Sequence, residues 1–467
     1  MPNNKKMKLK ILLLNPPGKY LYVRDYFCSK ISKADYINAP IDLVMISGVL
    51  NTGEFDLKVI DAVAEKIPVG NCLRKISEFN PNAIIVLIGS ASLAEDKEFL
   101  NSLKEKIPAE IFVIGDFLLT ESNSFLEEFD FVKGVILNFT SDGIYRQLKG
   151  EKEKIKDMAV RDCGKIIFYP KSAAKSFSVN SPLHEQFIKK PYRMPFVRKY
   201  PFATTLMSYA CPYRCTFCVM NTLPYVERDL DNIFAELDYL KSLGVKEILF
   251  LDQTIGLNRN RHIEFLKRII DKNYGFGWFG FTRVDAVDEE IMKMMKKAGC
   301  HTLWFGVETS SDETLRAYGK GYTKKQVLGA FAAAKKVGIK TLATFLIGLP
   351  EETKETIEDT IRFSKELNPD YASFSFAVPR FGTELREKAV KSGLISNDDK
   401  TMDQSGRRIT MGTMSLSKRD MQKLKRKAIL GFYLRPSYIL KRLWSLKSFT
   451  ELKINWQNFL SLVKNEI

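Results

Sequence analysis

The chain has 467 residues, more than one compact domain usually holds, so about three structural units are expected. Hydrophobic residues make up 45% and charged residues 27%, a balance that excludes disordered, collagen-like and disulfide-scaffold proteins. The net charge of +17 favours an acidic partner, such as phosphate groups or an anionic membrane surface.

Residues 9–150 alternate short apolar runs with amphipathic stretches. The apolar runs predict strands buried on both faces, at Leu9–Leu14, Asp56–Asp61, Ala83–Ile88, Ile111–Ile114 and Val135–Leu137. The spacing of apolar residues predicts helices between them, at Leu43–Asn51, Cys72–Phe79 and Glu95–Lys106. This alternation predicts an α/β fold with a doubly wound, flavodoxin-like parallel sheet within residues 1–150.

Ligands of such sheets bind beyond the carboxyl ends of the strands. The residues found there are small or polar, and they are candidate binding residues: Asn15, Pro16, Ser90, Ser92 and Gly115. An equally good interpretation is that they are turn residues and helix caps. No G-x-G-x-x-G follows the first strand, so a dinucleotide site is not indicated.

Residues 151–200 have a different character. Ala159–Tyr169 predicts a hairpin around Cys163-Gly164, and a basic stretch broken by four prolines follows. We predict a linker or wrapping segment here.

The strongest signal in the chain is a C-x3-C-x2-C motif formed by Cys211, Cys215 and Cys218. The chain holds only seven cysteines, so chance is a poor explanation for this spacing. Three thiolates do not close a tetrahedral zinc site, and the three histidines lie far from the motif in sequence. An iron–sulfur cluster normally takes four thiolates, so three would leave one iron open for chemistry. The alternative is a zinc site completed by a distant residue.

This motif, with Phe217 as the aromatic residue before the last cysteine, resembles the signature of the radical SAM superfamily. In that family the open iron binds S-adenosylmethionine, and one electron from the cluster cleaves its sulfonium to give a 5′-deoxyadenosyl radical. The resemblance implies a [4Fe-4S] metal cluster on the three cysteines, S-adenosylmethionine and an external one-electron reductant. Downstream segments resemble the strand ends of the family and imply further S-adenosylmethionine-binding residues, namely Asp252, Gln253, Arg283, Glu308 and Gly348.

The residues themselves predict the same architecture, because strand and helix repeat about six times between residues 202 and 385. Helices are expected at Leu230–Leu243, His262–Asp271, Glu289–Ala298, Lys325–Val337 and Lys354–Leu367. Six βα units predict a partial (βα)6 barrel within residues 201–395, with its active site at the carboxyl ends of the strands. Taken alone, Arg283 could instead pair with a carboxylate, and Glu308 could cap a helix.

A doubly wound domain before such a barrel resembles the cobalamin-binding-domain radical SAM family, which includes anaerobic magnesium-protoporphyrin ester cyclases and hopanoid methylases. Asn15-Pro16-Pro17 and Pro40-Ile-Asp-Leu-Val carry this resemblance. It implies cobalamin, bound by the strand-end residues given above. The chain departs from the family at Gly115-Asp116, where paired glycines are usual. No histidine precedes His184, so we expect no lower cobalt ligand from residues 1–150.

The last part of the chain, residues 396–467, predicts a small, basic, helical segment. From Ser415 to Ile467 there are twelve lysines and arginines and three acidic residues, interleaved with aromatic residues such as Tyr438, Trp456 and Phe459. Such helices can lie on an anionic membrane, and the alternative is a helical cap on the barrel. No apolar run is long enough to span a membrane. We expect a cytoplasmic protein with peripheral membrane contact through this segment.

The resemblances together imply a cobalamin-dependent radical SAM methyltransferase that acts on an unactivated carbon of a hydrophobic or lipid-like small molecule. Three alternatives stay open: an oxidative cyclase or rearrangement enzyme, a radical SAM enzyme that has lost cobalamin, and an iron–sulfur protein that binds nucleic acid. Only charge favours the last, so no nucleic-acid partner is expected.

Overall fold

The computed structural model describes residues 7–400, 402–407 and 409–444. Its N-terminal part follows the predicted alternation of strand and helix. The strands are β1 (Leu9–Asn15), β2 (Tyr22–Val23), β3 (Lys30–Ile31), β4 (Phe55–Asp61), β5 (Ala83–Leu87), β6 (Glu110–Ile114), β7 (Val132–Ile136), β8 (Met158–Asp162) and β9 (Lys165–Phe168). The helices are α1 (Ile41–Leu50), α2 (Val69–Phe79), α3 (Leu93–Lys106), α4 (Leu118–Glu128) and α5 (Gly143–Lys149), and a 3-10 turn covers Lys152–Lys154.

The first sheet has the strand order β4-β1-β5-β6-β7-β8-β9. Its first five strands are parallel and give the flavodoxin-like order 2-1-3-4-5, which confirms the predicted doubly wound sheet. Every residue of β5 is buried, as expected for a strand with helices on both faces. The predicted hairpin is confirmed as β8 and β9, which extend this sheet by two antiparallel strands.

A long connection, residues 16–40, leads from β1 to α1 and lies over the carboxyl ends of the first sheet. We call it the β1–α1 segment. Connections in α/β units usually have two to six residues, so this one is an insertion. Arg24 anchors it, because its guanidinium pairs with Asp96 at 2.6 Å and donates to Asn15 at 2.8 Å and Ser92 at 2.9 Å. The side chains of Arg24 and Asp96 are completely buried.

The remaining strands and helices form the second half of the molecule. The strands are β10 (Ser176–Phe177), β11 (Phe202–Thr205), β12 (Ser208–Tyr209), β13 (Val226–Arg228), β14 (Glu247–Phe250), β15 (Gly277–Thr282), β16 (Cys300–Glu308), β17 (Lys340–Ile347) and β18 (Tyr371–Phe376). The helices are α6 (His184–Phe187), α7 (Leu230–Ser242), α8 (Arg259–Lys272), α9 (Glu289–Lys297), α10 (Asp312–Ala317), α11 (Lys324–Val337), α12 (Lys354–Leu367), α13 (Glu384–Lys391), α14 (Lys418–Tyr433) and α15 (Pro436–Trp444), with a 3-10 turn at Val219–Thr222.

The second sheet contains β11, β14, β15, β16, β17 and β18, all parallel and in chain order. β11 and β18 are its two edges, so the sheet is an open arc, as predicted for a partial barrel. Burial alternates along β17 and β18, which shows two different faces. The partly exposed residues of these two strands face the inside of the arc. They include Leu342, Thr344, Tyr371, Ser373 and Ser375.

The C-terminal helix α14 packs on the barrel. Met421, Leu424 and Phe432 are buried in the same apolar cluster as the barrel strands and helices, and the Tyr433 hydroxyl donates to the Ala372 carbonyl at 2.7 Å. The alternative of a helical cap therefore holds for α14, and peripheral membrane contact stays a prediction. None of the described helices is long and apolar enough to cross a membrane. Trp456 and Phe459, which contributed to that prediction, lie outside the described residues.

Arg24 offers a test of how the β1–α1 segment is held. We expect Arg24→Met to lower the free energy of unfolding by about 3–5 kcal/mol, because the buried Asp96 carboxylate loses its cation. Urea unfolding measures the change. The control is Arg74→Met, which breaks an exposed pair with Glu78 and should cost less than about 1 kcal/mol. Similar losses in both variants would show that the buried pair does not anchor the segment.

Candidate active site

The cysteine loop follows β12 at the carboxyl end of the barrel. Cys215 is buried, and Cys211 and Cys218 are partly exposed. The residue before the first cysteine, Ala210, has a φ of 61°, a left-handed conformation that is uncommon for a residue other than glycine. Such strain persists only where surrounding structure enforces it, and it concentrates at functional sites.

A second loop, residues 318–322, holds the cysteine loop from one side. The Tyr318 carbonyl accepts a hydrogen bond from the Thr216 amide at 3.2 Å. Gly319 is necessary for this approach, because it has a φ of 69° and a Cβ there would lie 2.6 Å from the Arg214 carbonyl oxygen. The spacing of the cysteines is thus fixed by contacts from outside the motif.

The protein alone does not favour the thiolate form of Cys215 and Cys218. Burial raises the pKa of the Cys215 thiol, against the opposing charges of Lys320 and Arg283, and burial raises the pKa of Cys218 to about 12. A bound iron would have to drive deprotonation, as metals do for coordinating thiols. Among residues 7–400, 402–407 and 409–444, no three His, Cys, Asp or Glu side chains are grouped closely enough for one metal ion. Three thiols spread over one loop fit the separate corners of a cluster.

Glu308 ends β16 in an irregular conformation. The pairing of β16 with β17 shifts between Gly306 and Glu308, and Glu308 has a φ of 67°. Its carboxylate pairs with the Lys320 ammonium at 2.9 Å, and both side chains are nearly buried. A Cβ on Gly306 would lie 2.7 Å from the Glu308 Oε1, so only glycine leaves room for this pair. The arrangement presents an acid at the barrel mouth, close to the cysteine loop.

Arg283 connects the barrel to the cysteine loop. It forms an ion pair with Asp285 at 2.8 Å, and its guanidinium stacks 3.5 Å from the centre of the Tyr213 ring, within the loop. It also donates to the Lys320 carbonyl. Arg283 thus pairs with a carboxylate, as the alternative interpretation of the sequence expected. Because it also stacks on Tyr213, it positions the cysteine loop.

Asp252 and Gln253 follow β14. The Asp252 carboxylate accepts hydrogen bonds from the Met207 amide at 3.0 Å and the Ser208 hydroxyl at 2.7 Å, and burial raises its pKa to about 6. Asp252 thus fixes the strand that leads into the cysteine loop. The Gln253 Nε2 is buried and has no hydrogen-bond partner in the part of the chain that the structure describes. Thr254 Oγ1 lies 3.8 Å from the Cys211 sulfur, which places Gln253 beside the loop.

Phe217 and Gly348 have different surroundings. The Phe217 ring lies 5.7 Å from the Lys320 ammonium, at the site. The Gly348 amide donates to the buried Glu352 carboxylate at 2.7 Å, and a Cβ there would lie 2.5 Å from Met421 of α14. Gly348 therefore contributes to the packing of α14 on the barrel, and its role in binding S-adenosylmethionine stays a prediction.

The strand-end residues predicted to bind cobalamin are engaged within the protein. The Ser90 hydroxyl donates to Asp116 at 2.6 Å, and a Cβ on Gly115 would meet the Ile88 carbonyl oxygen at 2.0 Å. Ser29 of the β1–α1 segment fills the space above Gly89, where its Oγ lies 2.2 Å from an ideal Cβ position. Asn15 and Ser92 bind Arg24, and the segment begins with Pro16. In this conformation these residues leave no room for a cobalamin.

The three histidines take part in other contacts. His184 Nε2 lies 2.7 Å from Glu236, and His301 Nε2 lies 2.9 Å from Glu247. His262 is buried against Phe265, and burial lowers its pKa to about 4. The first sheet contains no histidine. Residues 1–150 therefore offer no histidine as a lower cobalt ligand. The three histidines of the rest of the chain are in contact with Glu236, Glu247 and Phe265.

Sequence reasoning missed several residues that build the site. Lys320 and Tyr213 hold Glu308 and Arg283, and Arg380 bridges the two halves of the molecule through Asp116 at 3.1 Å and the Cys28 sulfur at 3.1 Å. The two glycines that flank Lys320, Gly319 and Gly321, could have indicated a tight loop at this position from the sequence alone. Arg380 offered none, because its partners lie more than 260 positions away.

A cavity of about 560 Å³ lies inside the barrel arc. Its walls come from the barrel strands, the β1–α1 segment, the chain before β11, and helices α14 and α15. Most lining residues are apolar or aromatic: Val23, Phe27, Met194, Phe196, Leu251, Phe281, Trp304, Leu342, Tyr371, Ile429, Tyr433 and Tyr438. It has the size and character of a pocket for a small molecule.

Comparisons with known proteins agree with this fold and motif. Residues 205–364 match the radical SAM superfamily. This part of the chain is a radical SAM domain, so the protein is a radical SAM enzyme, and such a domain implies a [4Fe-4S] cluster and S-adenosylmethionine. The interpretation as a nucleic-acid-binding protein without enzyme activity is thereby wrong.

Two relatives cover much of the chain. An uncharacterized methyltransferase of Pyrococcus horikoshii is 29% identical over 94% of this chain and 96% of its own length. The anaerobic magnesium-protoporphyrin IX monomethyl ester cyclase of Rubrivivax gelatinosus is 24% identical over 73% of this chain, which spans 64% of the cyclase.

Two solved structures share the fold. The radical S-adenosylmethionine methyltransferase TsrM of Kitasatospora setae, with cobalamin and a [4Fe-4S] cluster bound, aligns with a TM-score of 0.66 at 17% identity, over 84% of this chain and 80% of its own. The cobalamin-dependent S-adenosylmethionine radical enzyme OxsB aligns with a TM-score of 0.68 at 15% identity, over 98% of this chain and 72% of its own. This chain therefore shares the overall fold of these two structures.

The cysteine loop gives a direct prediction. Changing Cys211, Cys215 and Cys218 together to Ala should remove all cluster iron and sulfide, because the described residues provide no other thiols in this loop. Iron and sulfide are assayed after anaerobic reconstitution. Cys163→Ala, at an exposed position of the β8–β9 hairpin, is the matched control and should retain full iron content. Full iron in the triple variant would refute the assignment.

Glu308 gives a second prediction. Glu308→Gln should weaken S-adenosylmethionine binding roughly ten- to hundredfold, because a hydrogen bond to a charged group is lost. Anaerobic calorimetry measures the affinity, and the absorbance of the cluster checks that the loop is intact. Glu358→Gln, which affects a pair with Lys427 on the outside of the barrel, should have no effect. If both variants bind like the parent protein, Glu308 has only a structural role.

Proposed function

We propose that this chain is a cobalamin-dependent methyltransferase that methylates an unactivated carbon of a hydrophobic small molecule held in the barrel cavity. The position of the cavity carries this proposal. Phe281 lies two residues before Arg283, and Trp304 lies four residues before Glu308. With about 3.3 Å per residue, these walls lie roughly 7 Å and 13 Å below the barrel mouth. A molecule in the cavity would lie inside the barrel, on the side of Arg283 and Glu308 away from the strand ends.

Each part of the chain has a role in this proposal. The three cysteines would hold the cluster, which when bound supplies the electron that cleaves S-adenosylmethionine. Glu308, fixed by Lys320, and Gln253, whose Nε2 has no hydrogen-bond partner among the described residues, would bind and orient the polar groups of S-adenosylmethionine. The aromatic walls, the β1–α1 segment and α14 would exclude water, which protects a reactive radical from side reactions.

Cobalamin, when bound, would supply the methyl carrier. Support comes from the fold shared with TsrM and OxsB and from the full-length similarity to a methyltransferase. The crevice beyond the first sheet is filled by Ser29 and Arg24 in this conformation, so binding requires the β1–α1 segment to move away. That same observation favours a second candidate function, a radical SAM enzyme that has lost cobalamin.

Anaerobic reconstitution with hydroxocobalamin separates the two candidates. We expect one corrinoid per chain after gel filtration, and the triple cysteine variant should bind equally because its first sheet is unchanged. Labelling the histidines of the protein with 15N should leave the EPR spectrum of the bound cobalt(II) corrinoid unchanged, since residues 1–150 contain no histidine that could coordinate cobalt. Failure of the parent protein to bind corrinoid, with S-adenosylmethionine cleavage retained, would select the second candidate.

The mass of the product tests the reaction class. Methyl transfer replaces a hydrogen by a methyl group, whereas an oxidative cyclisation removes hydrogens. Incubation with S-adenosylmethionine labelled in its methyl group should therefore transfer the label to the product. A product that lacks the label and has lost hydrogens would indicate cyclisation.

A further inference from the structure

We propose that the barrel cavity selects an amphipathic anion, a molecule with a flat apolar body and an acidic group such as a carboxylate. This rests on the proposed function, because it assigns the substrate class of the same cavity. Among the residues that the structure describes, the charged side chains that line the cavity are Lys30, Lys33, Arg442 and Asp25, three cations and one carboxylate.

The apolar body would lie among aromatic rings that already pack edge to face. Trp304 meets Phe281 with ring centroids 4.3 Å apart at 88° and Phe196 at 5.1 Å and 60°. Phe196 meets Tyr371 at 4.7 Å and 85°. These rings come from three barrel strands, β15, β16 and β18, and from the chain before β11. They form flat, rigid walls, which suit a planar or extended hydrocarbon better than a compact polar molecule.

The cations are placed by the protein. The Lys33 ammonium donates to the Phe374 carbonyl at 2.7 Å and the Ser375 hydroxyl at 2.8 Å, so it is fixed to the inner side of β18. Its exposed fraction is 8%. Lys30 lies 5.7 Å from the Phe27 ring, on the same segment. Arg442 of α15 stacks 4.8 Å from the Tyr371 ring.

These cations outnumber the acidic groups of the cavity. Asp25, 4% exposed, accepts a hydrogen bond from the Cys28 amide at 2.7 Å. One carboxylate against three cations leaves an excess of positive charge among the lining residues. Charges interact more strongly in a cavity shielded from water than at the surface. An anionic group on the ligand would therefore bind more favourably than a neutral or cationic one.

An unpaired donor also faces this region. The Trp304 indole N–H is buried, with an exposed fraction of 6% for the residue, and it has no acceptor among the residues that the structure describes. A buried donor without a partner is costly, so proteins rarely retain one. An oxygen atom of the ligand would satisfy it. The donor is independent of the lysines, and it indicates the same kind of ligand.

Two fluorescent probes with the same apolar body test the proposal. One is 8-anilinonaphthalene-1-sulfonate, which carries an acidic group, and the other is N-phenyl-1-naphthylamine, which has the same rings and no charge. We expect one sulfonate probe per chain, bound about tenfold more tightly than the neutral probe. The double variant Lys30→Met/Lys33→Met should lower the sulfonate affinity about tenfold and leave the neutral probe unchanged.

Matched controls keep the outcome interpretable. Lys441→Met removes a cation of α15 that pairs with Asp370 and does not line the cavity, and it should change neither affinity. Thr344→Trp should fill the cavity and abolish binding of both probes, with circular dichroism and urea unfolding as checks of folding.

Two results would overturn the proposal. Equal affinities of the two probes in the parent protein, or no effect of the lysine substitutions, would show that the cavity does not select an anion. Unchanged probe binding in a folded Thr344→Trp variant would show that the cavity is not the binding site. Neither result affects corrinoid binding or label transfer, so the methyltransferase proposal would fail or stand on its own experiments.

Discussion

The structure depends on the meeting of two parallel sheets at the carboxyl ends of their strands. In a parallel sheet every strand ends at the same edge, so the loops and polar residues that follow the strands all converge there. Here two such edges face each other. The Arg380–Asp116 pair joins them, and Tyr26, Phe139 and Tyr209 pack across the junction with ring centroids 4.8 to 5.3 Å apart. The cysteine loop follows directly from Tyr209, so this contact also positions the site.

The same junction explains why the site can hold strained residues. Ala210 and Glu308 both have left-handed backbone conformations, which each cost of order 1–3 kcal/mol. Ala210 is completely buried between the halves of the molecule, and Glu308 is fixed by Lys320. Packing on one side and an ion pair on the other therefore enforce the two conformations. Both strained residues lie next to groups of the candidate site, Ala210 before the cysteine loop and Glu308 at the end of β16.

The two sheet edges differ in what their polar residues do. At the barrel edge, the Gln253 Nε2 has no hydrogen-bond partner among the described residues. At the edge of the first sheet, Arg24 pairs with Asp96, and Ser90 donates to Asp116. Asp42 differs from them, because its buried carboxylate has no hydrogen-bond partner in the described part of the chain. Buried polar groups that are paired stabilise a fold, whereas unpaired ones are groups that a ligand can satisfy.

The sequence by itself determined the fold class, the order of the two sheets and the position of the cysteine loop. These features depend on local patterns: the continuous apolar run of β5, helical spacing, and three cysteines within eight residues. Only the tertiary structure decided which polar residues are free. Ser90 and Gln253 are both polar residues that follow a strand, so the sequence does not distinguish their roles. In the structure the Ser90 hydroxyl donates to Asp116, whereas the Gln253 Nε2 has no hydrogen-bond partner among the described residues. Such differences depend on contacts between residues far apart in sequence, as for Arg24 and Asp96, which are separated by 72 positions. The cavity was equally hidden, because its walls come from distant parts of the chain that meet only when both sheets have folded.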